Sequence, residues 1–256
     1  MTMAKNMLRE DIVKAATALK QSDYTVVFTG SGISVESGIP PYRGPGGIWK
    51  KQDPVFLDMR HFLKNPKSSW EMIKKIFFDR IENARPNAAH RAIAELENRG
   101  HVQSVITQNI DNLHQEAGSR TVYEYHGTIK KLRCTGCNTV FPSDEIDFAL
   151  LPPVCSECGG VLKPDFVFFG ESIPEEIDWL SRGEAENAGV MLIIGTTGKI
   201  KPASLIPFIA KRSHSLIIET NIEESRYTKQ ITDIFLPGRA TDILTRLADR
   251  VIGNGR

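Results

Sequence analysis

The sequence predicts an α/β fold, in which helices cross over a parallel β-sheet and a smaller module is inserted. Short apolar, β-branched runs recur along the chain, and stretches with helical spacing lie between them. One segment, which holds all four cysteines, interrupts this alternation. Strands that alternate with helices form parallel sheets. A chain of 256 residues can form one large domain, or a large and a small one.

The individual elements follow from hydrophobic periodicity and from turn residues. An amphipathic helix is predicted over 7–21, and Asn87 is the predicted N-cap of a later one. Residues 40–55, rich in proline and glycine, are predicted as a long loop. The predicted strands are 25–28, 102–107, 121–127 (ending in a histidine), 190–195, 215–220 and 233–238, and the other predicted helices are 67–83, 87–99, 203–212 and 240–252.

The composition is that of a soluble globular protein, with 41% hydrophobic and 25% charged residues. A net charge of +1 gives no bulk attraction to nucleic acid or to a membrane surface. No apolar run approaches the ~20 residues of a spanning helix, and the N-terminus lacks a signal-peptide pattern. We therefore expect a cytoplasmic protein that does not bind membranes.

The four cysteines form two close pairs, Cys134-x-x-Cys137 and Cys155-x-x-Cys158, separated by 17 residues. Two such turns place four thiolates tetrahedrally, which suits Zn²⁺. Four protein ligands leave no open position for water or substrate, so we predict a structural zinc site that stabilises the inserted module.

A zinc ribbon can also bind nucleic acid, and Lys130, Lys131 and Arg133 lie beside the first cysteine pair. No matching stripe of basic and aromatic residues accompanies them. We interpret this cluster as a solvated face and expect no specific nucleic-acid binding.

A glycine-rich turn follows the first predicted strand, in "TVVFTGSGISVESGIPPYRG". Gly30-Ser31-Gly32 after a strand is typical of phosphate binding, and Ser34 or Ser37 could donate hydrogen bonds there. However, Val35 occupies the third glycine position, so the motif alone leaves a plain turn open. Pro40 and Pro41 then break the helix that an ordinary dinucleotide fold would continue.

Six motifs occur in order over residues 24–223: "GSGISVESGIPPYRG", "TQNIDNLH", "HG" before the cysteine pairs, "KPDFVFFGE", "GTT" followed by "KPAS", and "TNIE". As a set they closely resemble the sirtuin family of NAD-dependent protein deacylases. The resemblance implies a Rossmann-like NAD-binding domain over 1–43, 87–126 and 168–256, a cofactor-binding loop and helical module over 44–86, and a zinc-binding module over 127–167. It also explains the broken helix, because residues 37–44 match a mobile loop that folds over the nicotinamide ribose.

The resemblance assigns catalysis to His126, as the general base, and to Asn109. It implies transfer of the acyl group from lysine to ADP-ribose, with release of nicotinamide. The implied NAD contacts are Gly30, Ser31, Gly32, Ser34, Ser37, Arg43, Gln108, Asn109, Ile110, Asp111, Gly195, Thr196, Thr197, Asn221, Glu223 and Ala240. The implied contacts to an extended acyl-lysine peptide are Val167, Phe168, Phe169, Gly170, Glu171, Lys199 and Ile200. Taken singly, these residues are ordinary turn, strand-end or core residues.

Two other functions are compatible with the same motifs: a protein ADP-ribosyltransferase, and a non-catalytic NAD-sensing or zinc-ribbon module. The presence of His126 favours deacylation over the first, and Asn109 and Asp111 argue against the second.

A branch of the family that removes succinyl groups carries Tyr and Arg where this chain, aligned through Trp70-Glu71, has Ile73 and Ile76. We therefore predict acetyl or longer neutral acyl groups over succinyl or malonyl. Lys199 and Lys201 predict a preference for acidic residues beside the target lysine.

Overall fold

The computed structural model describes residues 2–42, 46–50 and 52–253. Its main element is a six-stranded parallel sheet with strand order β3-β2-β1-β7-β8-β9. The strands are β1 (Thr25–Thr29), β2 (Ser104–Thr107), β3 (Val122–Glu124), β7 (Val190–Ile194), β8 (Leu216–Asn221) and β9 (Ile234–Pro237). The chain winds outward from β1 in one direction and from β7 in the other, so the strand order reverses between β1 and β7. A crevice at such a switch point is the usual ligand site of an open α/β sheet.

Helices cover both faces of this sheet, as predicted. One face packs against α1 (Thr2–Gln21), α5 (Ala88–Asn98) and α9 (Ala240–Ile252), and the other against α7 (Glu175–Asn187) and α8 (Ile206–Arg212). Every residue of β1, β2 and β7 is buried. Burial on both faces explains why these strands are continuous apolar runs and not alternating ones.

The inserted part forms a second, smaller unit. It contains a three-stranded antiparallel sheet of β4 (Gly127–Cys134), β5 (Val140–Pro142) and β6 (Leu162–Phe166). The helices beside it are α2 (Met59–Lys64), α3 (Pro66–Ile73) and α4 (Asp79–Ile81), with a π-turn at Lys74–Phe78. The indole N–H of Trp70 donates to the Leu162 carbonyl at 2.7 Å, and its ring packs on Phe148. Residues of the segments 44–86 and 127–167 thus share one hydrophobic core; the domain boundaries stay a prediction.

The structure differs from the prediction at the end of strand β3 and in several helices, of which α2 was not predicted. Strand β3 ends at Glu124, before His126, because its partner β2 ends at Thr107. The helix α7 was not predicted at all. Asn87 does cap α5: its side chain accepts hydrogen bonds from the Ala89 and His90 amides.

Within the described ranges, no helix is both long and apolar enough to cross a membrane. The short α6 (Leu113–Glu116) completes the large domain.

Candidate active site

A cavity of about 990 Å³ opens at the switch point, beyond the carboxyl ends of β1, β2, β7 and β8. Most of the predicted NAD-contact residues line it. These are Gly30, Ser31, Gly32, Gln108, Asn109, Ile110, Gly195, Thr196, Thr197, Asn221, Glu223 and Ala240. Ser34, Ser37 and Asp111 do not line the cavity, and Arg43 falls outside the described residues.

The floor of the cavity consists of two glycine turns packed against each other. The Gly30 amide donates to the Ile194 carbonyl at 3.0 Å, and the Gly32 amide to the Gly195 carbonyl at 2.8 Å. A Cβ on Gly32 would lie 2.6 Å from the Gly195 Cα, and Gly195 itself has a φ of +61°. Glycine is therefore required here by the approach of the two turns to each other, besides any approach to a phosphate.

A buried chain of hydrogen bonds connects the polar residues of the next turn. The Asn109 amide group donates to the Gly30 carbonyl and to the Ser34 hydroxyl, each at 3.2 Å, and Ser34 donates to Asp111 at 2.6 Å. Burial raises the pKa of Asp111, and the Ser34 hydrogen bond opposes that rise. Asn109 Oδ1 is buried in the cavity wall without a partner among the described residues. This site therefore offers one unsatisfied acceptor, which suits an amide donor from a ligand.

Ser34 and Ser37, which were predicted to donate to phosphate, have protein partners here. Ser34 is 1% exposed, and its hydroxyl donates its hydrogen bond to Asp111. The Ser37 hydroxyl accepts a hydrogen bond from the Asn87 side chain at 3.0 Å. Neither lines the cavity in the described structure.

His126 lines the cavity, and one hydrogen bond determines which ring nitrogen carries the proton. Its Nδ1 is 3.0 Å from the Gln108 carbonyl oxygen. A carbonyl can only accept, so Nδ1 carries the proton and Nε2 keeps a free lone pair. Burial lowers the pKa of His126, and the Gln108 hydrogen bond partly opposes this. The ring is therefore a neutral base at pH 7.

Comparison with known proteins identifies the family. The Sir2 family model matches residues 30–202. NAD-dependent protein deacylase 2 of Pyrobaculum aerophilum is 45% identical over 93% of this chain and 95% of its own length. A solved Sir2 homologue–NAD complex superimposes with a TM-score of 0.87 at 36% identity, covering 94% of each chain. A Sir2–p53 peptide–NAD⁺ complex does so with a TM-score of 0.85 at 31% identity, covering 93% of this chain and 97% of that one.

This chain belongs to the Sir2 family. The α/β fold expected from the sirtuin resemblance, with its inserted four-cysteine unit, is confirmed.

This sirtuin has an aromatic chamber at the end of the cavity that faces the small unit. Tyr42 and Trp49 stack at 5.7 Å between ring centroids, and Phe77 lies 5.3 Å from Phe166. All four line the cavity. Ile73 and Ile76, which the sequence placed in the acyl pocket, lie instead in the core of the small unit. Phe77 lies within the π-turn Lys74–Phe78 and lines the cavity, whereas Ile73 lies just before that turn.

The predicted peptide-binding segment, residues 167–171, lines the same cavity. It is anchored on both sides: the Val167 amide donates to the His126 carbonyl at 2.9 Å, and the Phe169 amide to the Leu57 carbonyl at 2.8 Å. Ile200 and Lys201 also line the cavity, whereas Lys199 is exposed and outside the lining. Residues of both segments that were predicted to receive a peptide thus line this cavity.

Glu36 and Arg239 also line the cavity; Arg239 precedes the predicted contact Ala240, whereas Glu36 was not predicted. Glu36 accepts a hydrogen bond from the Thr241 hydroxyl at 2.6 Å and lies 3.7 Å from the Arg239 guanidinium. This contact joins the glycine turn to the start of α9. A charged residue in a turn gives no signal of such a partner 205 positions later in the chain.

The four cysteines of this sirtuin converge, and their sulfur atoms all lie within 4.8 Å of one another. The Cys134 and Cys158 sulfurs are 3.4 Å apart, and those of Cys137 and Cys155 are 3.7 Å apart. Zinc–sulfur bonds of about 2.3 Å in a tetrahedron place sulfurs at about that spacing. The Gly136 and Gly160 amides point at sulfur, as thiolate ligands require. The residues present therefore fit a zinc ion.

Proposed function

We infer that this chain is an NAD-dependent protein deacylase that removes acyl groups from lysine side chains. The observation that carries the inference is His126, whose free Nε2 lies in one cavity between the glycine turns and the 167–171 segment. A neutral base at that junction can act on a group held by the turns and on a group held by the segment. The deacylase names of the relatives agree with this reading.

The cavity residues fit NAD. The backbone amides and hydroxyls around Gly30–Gly32 and Thr196–Thr197 would receive the phosphates and riboses, with Asn221 and Glu223 towards the adenosine. The unpartnered Oδ1 of Asn109 would accept a hydrogen bond from the nicotinamide carboxamide. NAD supplies, when bound, the glycosidic bond that breaks and the ribose hydroxyl that receives the acyl group.

We assign His126 the role of general base. Its Nδ1–H is held by the Gln108 carbonyl, which orients the ring and keeps Nε2 unprotonated. Nε2 would take the proton from the ribose hydroxyl as that oxygen attacks the acyl carbon. Asn109 would hold the nicotinamide end while the bond to it breaks.

The acyl-lysine would enter as part of an extended peptide between residues 167–171 and 198–202. Support comes from the lining of the cleft by both segments and from the aromatic chamber beneath them. Strand addition mainly reads the peptide backbone, so sequence selectivity should be loose. The acyl group would point into the chamber formed by Tyr42, Trp49, Phe77 and Phe166.

The test is mass spectrometry of an acetyl-lysine peptide incubated with NAD and either the wild type or His126→Ala. We expect loss of the acetyl group with one nicotinamide released per turnover, abolished by the substitution. Lys211→Met, on a surface ion pair, serves as the variant that should leave turnover unchanged. NAD cleavage with attachment of ADP-ribose to protein, and no deacylation, would overturn the proposal in favour of ADP-ribosyl transfer.

A further inference from the structure

Lys163, on β6, is a buried lysine whose three N–H donors are all used. The side chain is 9% exposed. Its ammonium donates to the Phe166 carbonyl at 2.7 Å, to the Pro164 carbonyl at 2.9 Å, and to Glu171 Oε2 at 3.1 Å. It also lies 4.2 Å from the centre of the Phe168 ring. A lysine ammonium has three donors, so this one is fully satisfied without water.

Glu171 connects the Lys163 ammonium to the backbone of residues 167–171. The same carboxylate oxygen accepts the Phe168 amide at 2.7 Å, and the Glu171 amide donates back to the Phe168 carbonyl at 3.1 Å. A turn over residues 168–171 is therefore closed by one ion pair. This turn is the cavity wall itself, and its neighbour Val167 is bonded to the His126 backbone.

Stability alone does not explain a buried ion pair at this place. Replacement of such a pair by apolar residues of similar volume is often neutral or stabilising, because desolvation of the two charges is costly. A buried pair can instead fix one backbone arrangement among several. Here the arrangement that it fixes is the wall that would receive the peptide.

We propose that Lys163 is a positioning residue for the acyl-peptide, holding residues 166–171 through Glu171 in the shape that binds substrate. The proposal rests on the proposed function. It also changes the part assigned to Glu171, which acts through the Phe168 amide and not by direct contact with the substrate. Lys163 makes no contact with the glycine turns, so NAD binding should not depend on it.

The experiment compares Lys163→Met, a side chain of similar length without charge, with wild type. We expect the KM for an acetyl-lysine peptide to rise about tenfold or more, the scale set by a buried charge that loses its partner. We expect kcat to stay within about threefold and the Kd for NAD within about twofold. The control is Lys211→Met, which removes the exposed pair with Asp233 (2.6 Å) and should leave all three constants unchanged.

Two further measurements keep the proposal testable if Lys163→Met folds poorly. Glu171→Gln removes the charge while keeping the length, and should speed amide hydrogen exchange in the peptide 164–171 relative to the rest of the chain. The double variant Lys163→Met/Glu171→Gln should bind the acyl-peptide no worse than Lys163→Met alone, because the two residues act as one unit.

An unchanged peptide KM, or an equal loss of peptide and NAD affinity, would overturn the proposal. So would unchanged amide exchange in Glu171→Gln. If the wild type itself does not deacylate the peptide, the proposed function fails, whereas the exchange measurement still tests the ion pair by itself.

Discussion

At the scale of single residues, the site depends on which polar atoms are already hydrogen-bonded within the protein and which are free. His126 has one nitrogen bound to the Gln108 carbonyl and one free. Asn109 has both amide hydrogens donated and its oxygen free. In both cases the protein fixes the side chain through one end and leaves the other end for a ligand. Such orientation is what a catalytic group requires before substrate arrives.

The lowered pKa of His126 predicts the pH dependence of turnover. The base acts in its neutral form, so activity is lost as pH falls through the pKa of the folded protein. Burial places that pKa below 6.5, the usual histidine value. We therefore expect kcat/KM to be flat from about pH 7 upward and to fall on the acid side with a midpoint below 6.5. A pH series with an acetyl-lysine peptide checks this, and an acid limb centred above pH 7 would contradict it.

Ser34 is predicted to act on the nicotinamide end and not on phosphate. Ser34→Ala removes the link between Asn109 and Asp111, so we expect kcat/KM for NAD to fall about tenfold, the cost of a hydrogen bond to a charged group. The Kd for ADP-ribose, which lacks nicotinamide, should stay unchanged. Ser181→Ala, at another buried serine in α7, is the matched control. An equal loss of ADP-ribose affinity would instead indicate a phosphate contact.

At the scale of elements, the zinc site supports the small unit. Cys134 and Cys155 are part of its hydrophobic core, so a bound metal would link the two cysteine turns there, and its loss would remove that link. We expect about one zinc per chain, and we expect removal by a strong chelator to abolish activity and lower the Tm by about 10 °C or more. Added Zn²⁺ should restore both and Mg²⁺ neither. Full activity in a metal-free preparation would refute a structural role.

The elements that the sequence predicts well are those with a large buried apolar face. The strands β1 and β7 are buried throughout, and their runs of Val, Ile and Phe show it. Helix α7 escaped prediction because its fully buried positions are the small Ser181 and Ala185, whereas Trp179 is 72% exposed. Ile177 is the large apolar residue of α7 that packs on the hydrophobic core of the sheet, and a single such residue is too little apolar spacing to predict a helix.

The cavity-lining residues that belong to a sequence motif were predictable. Those that line the cavity because of the local helix geometry were not. The glycine turns and His126 stand at strand ends, which a parallel sheet brings to one edge. Phe77 lines the cavity from within the π-turn Lys74–Phe78, whereas the linear alignment chose Ile73 and Ile76. A change of helical register leaves no trace in composition or spacing.

At the scale of the whole molecule, the large domain contributes the polar part of the cavity and the small unit the apolar part. Among the described residues, no lysine or arginine belongs to the aromatic wall formed by Tyr42, Trp49, Phe77 and Phe166. The three N–H donors of the Lys163 ammonium are already bonded to the Phe166 and Pro164 carbonyls and to Glu171. The cytoplasmic location and the absence of specific nucleic-acid binding stay predictions.

This division predicts selectivity among acyl groups. A succinyl carboxylate in the chamber would be buried without a partner, at a cost of several kcal/mol. We expect kcat/KM for acetyl-lysine to exceed that for succinyl-lysine by about 100-fold or more, with butyryl-lysine accepted. The measurement uses one peptide sequence carrying each acyl group, so that only the chamber is compared. Similar values for acetyl and succinyl would show that a cation reaches the acyl group.

The large domain also carries a buried histidine pair that should make folding sensitive to acid. The His90 and His114 rings lie 4.9 Å apart, and burial lowers the pKa of His90 to about 4 and that of His114 well below its usual value. In the unfolded chain these histidines bind protons near pH 6.5. Their contribution to the free energy of unfolding is therefore fully present above that pH and is lost as pH falls below it. The free energy of unfolding in urea should therefore decrease from pH 7 to 5. His114→Gln, which can keep the hydrogen bond to Thr29 but cannot titrate, should reduce the slope by about 1.4 kcal/mol per pH unit. Parallel pH profiles for the variant and the wild type would mean that His114 has the same pKa in the folded protein as in the unfolded chain.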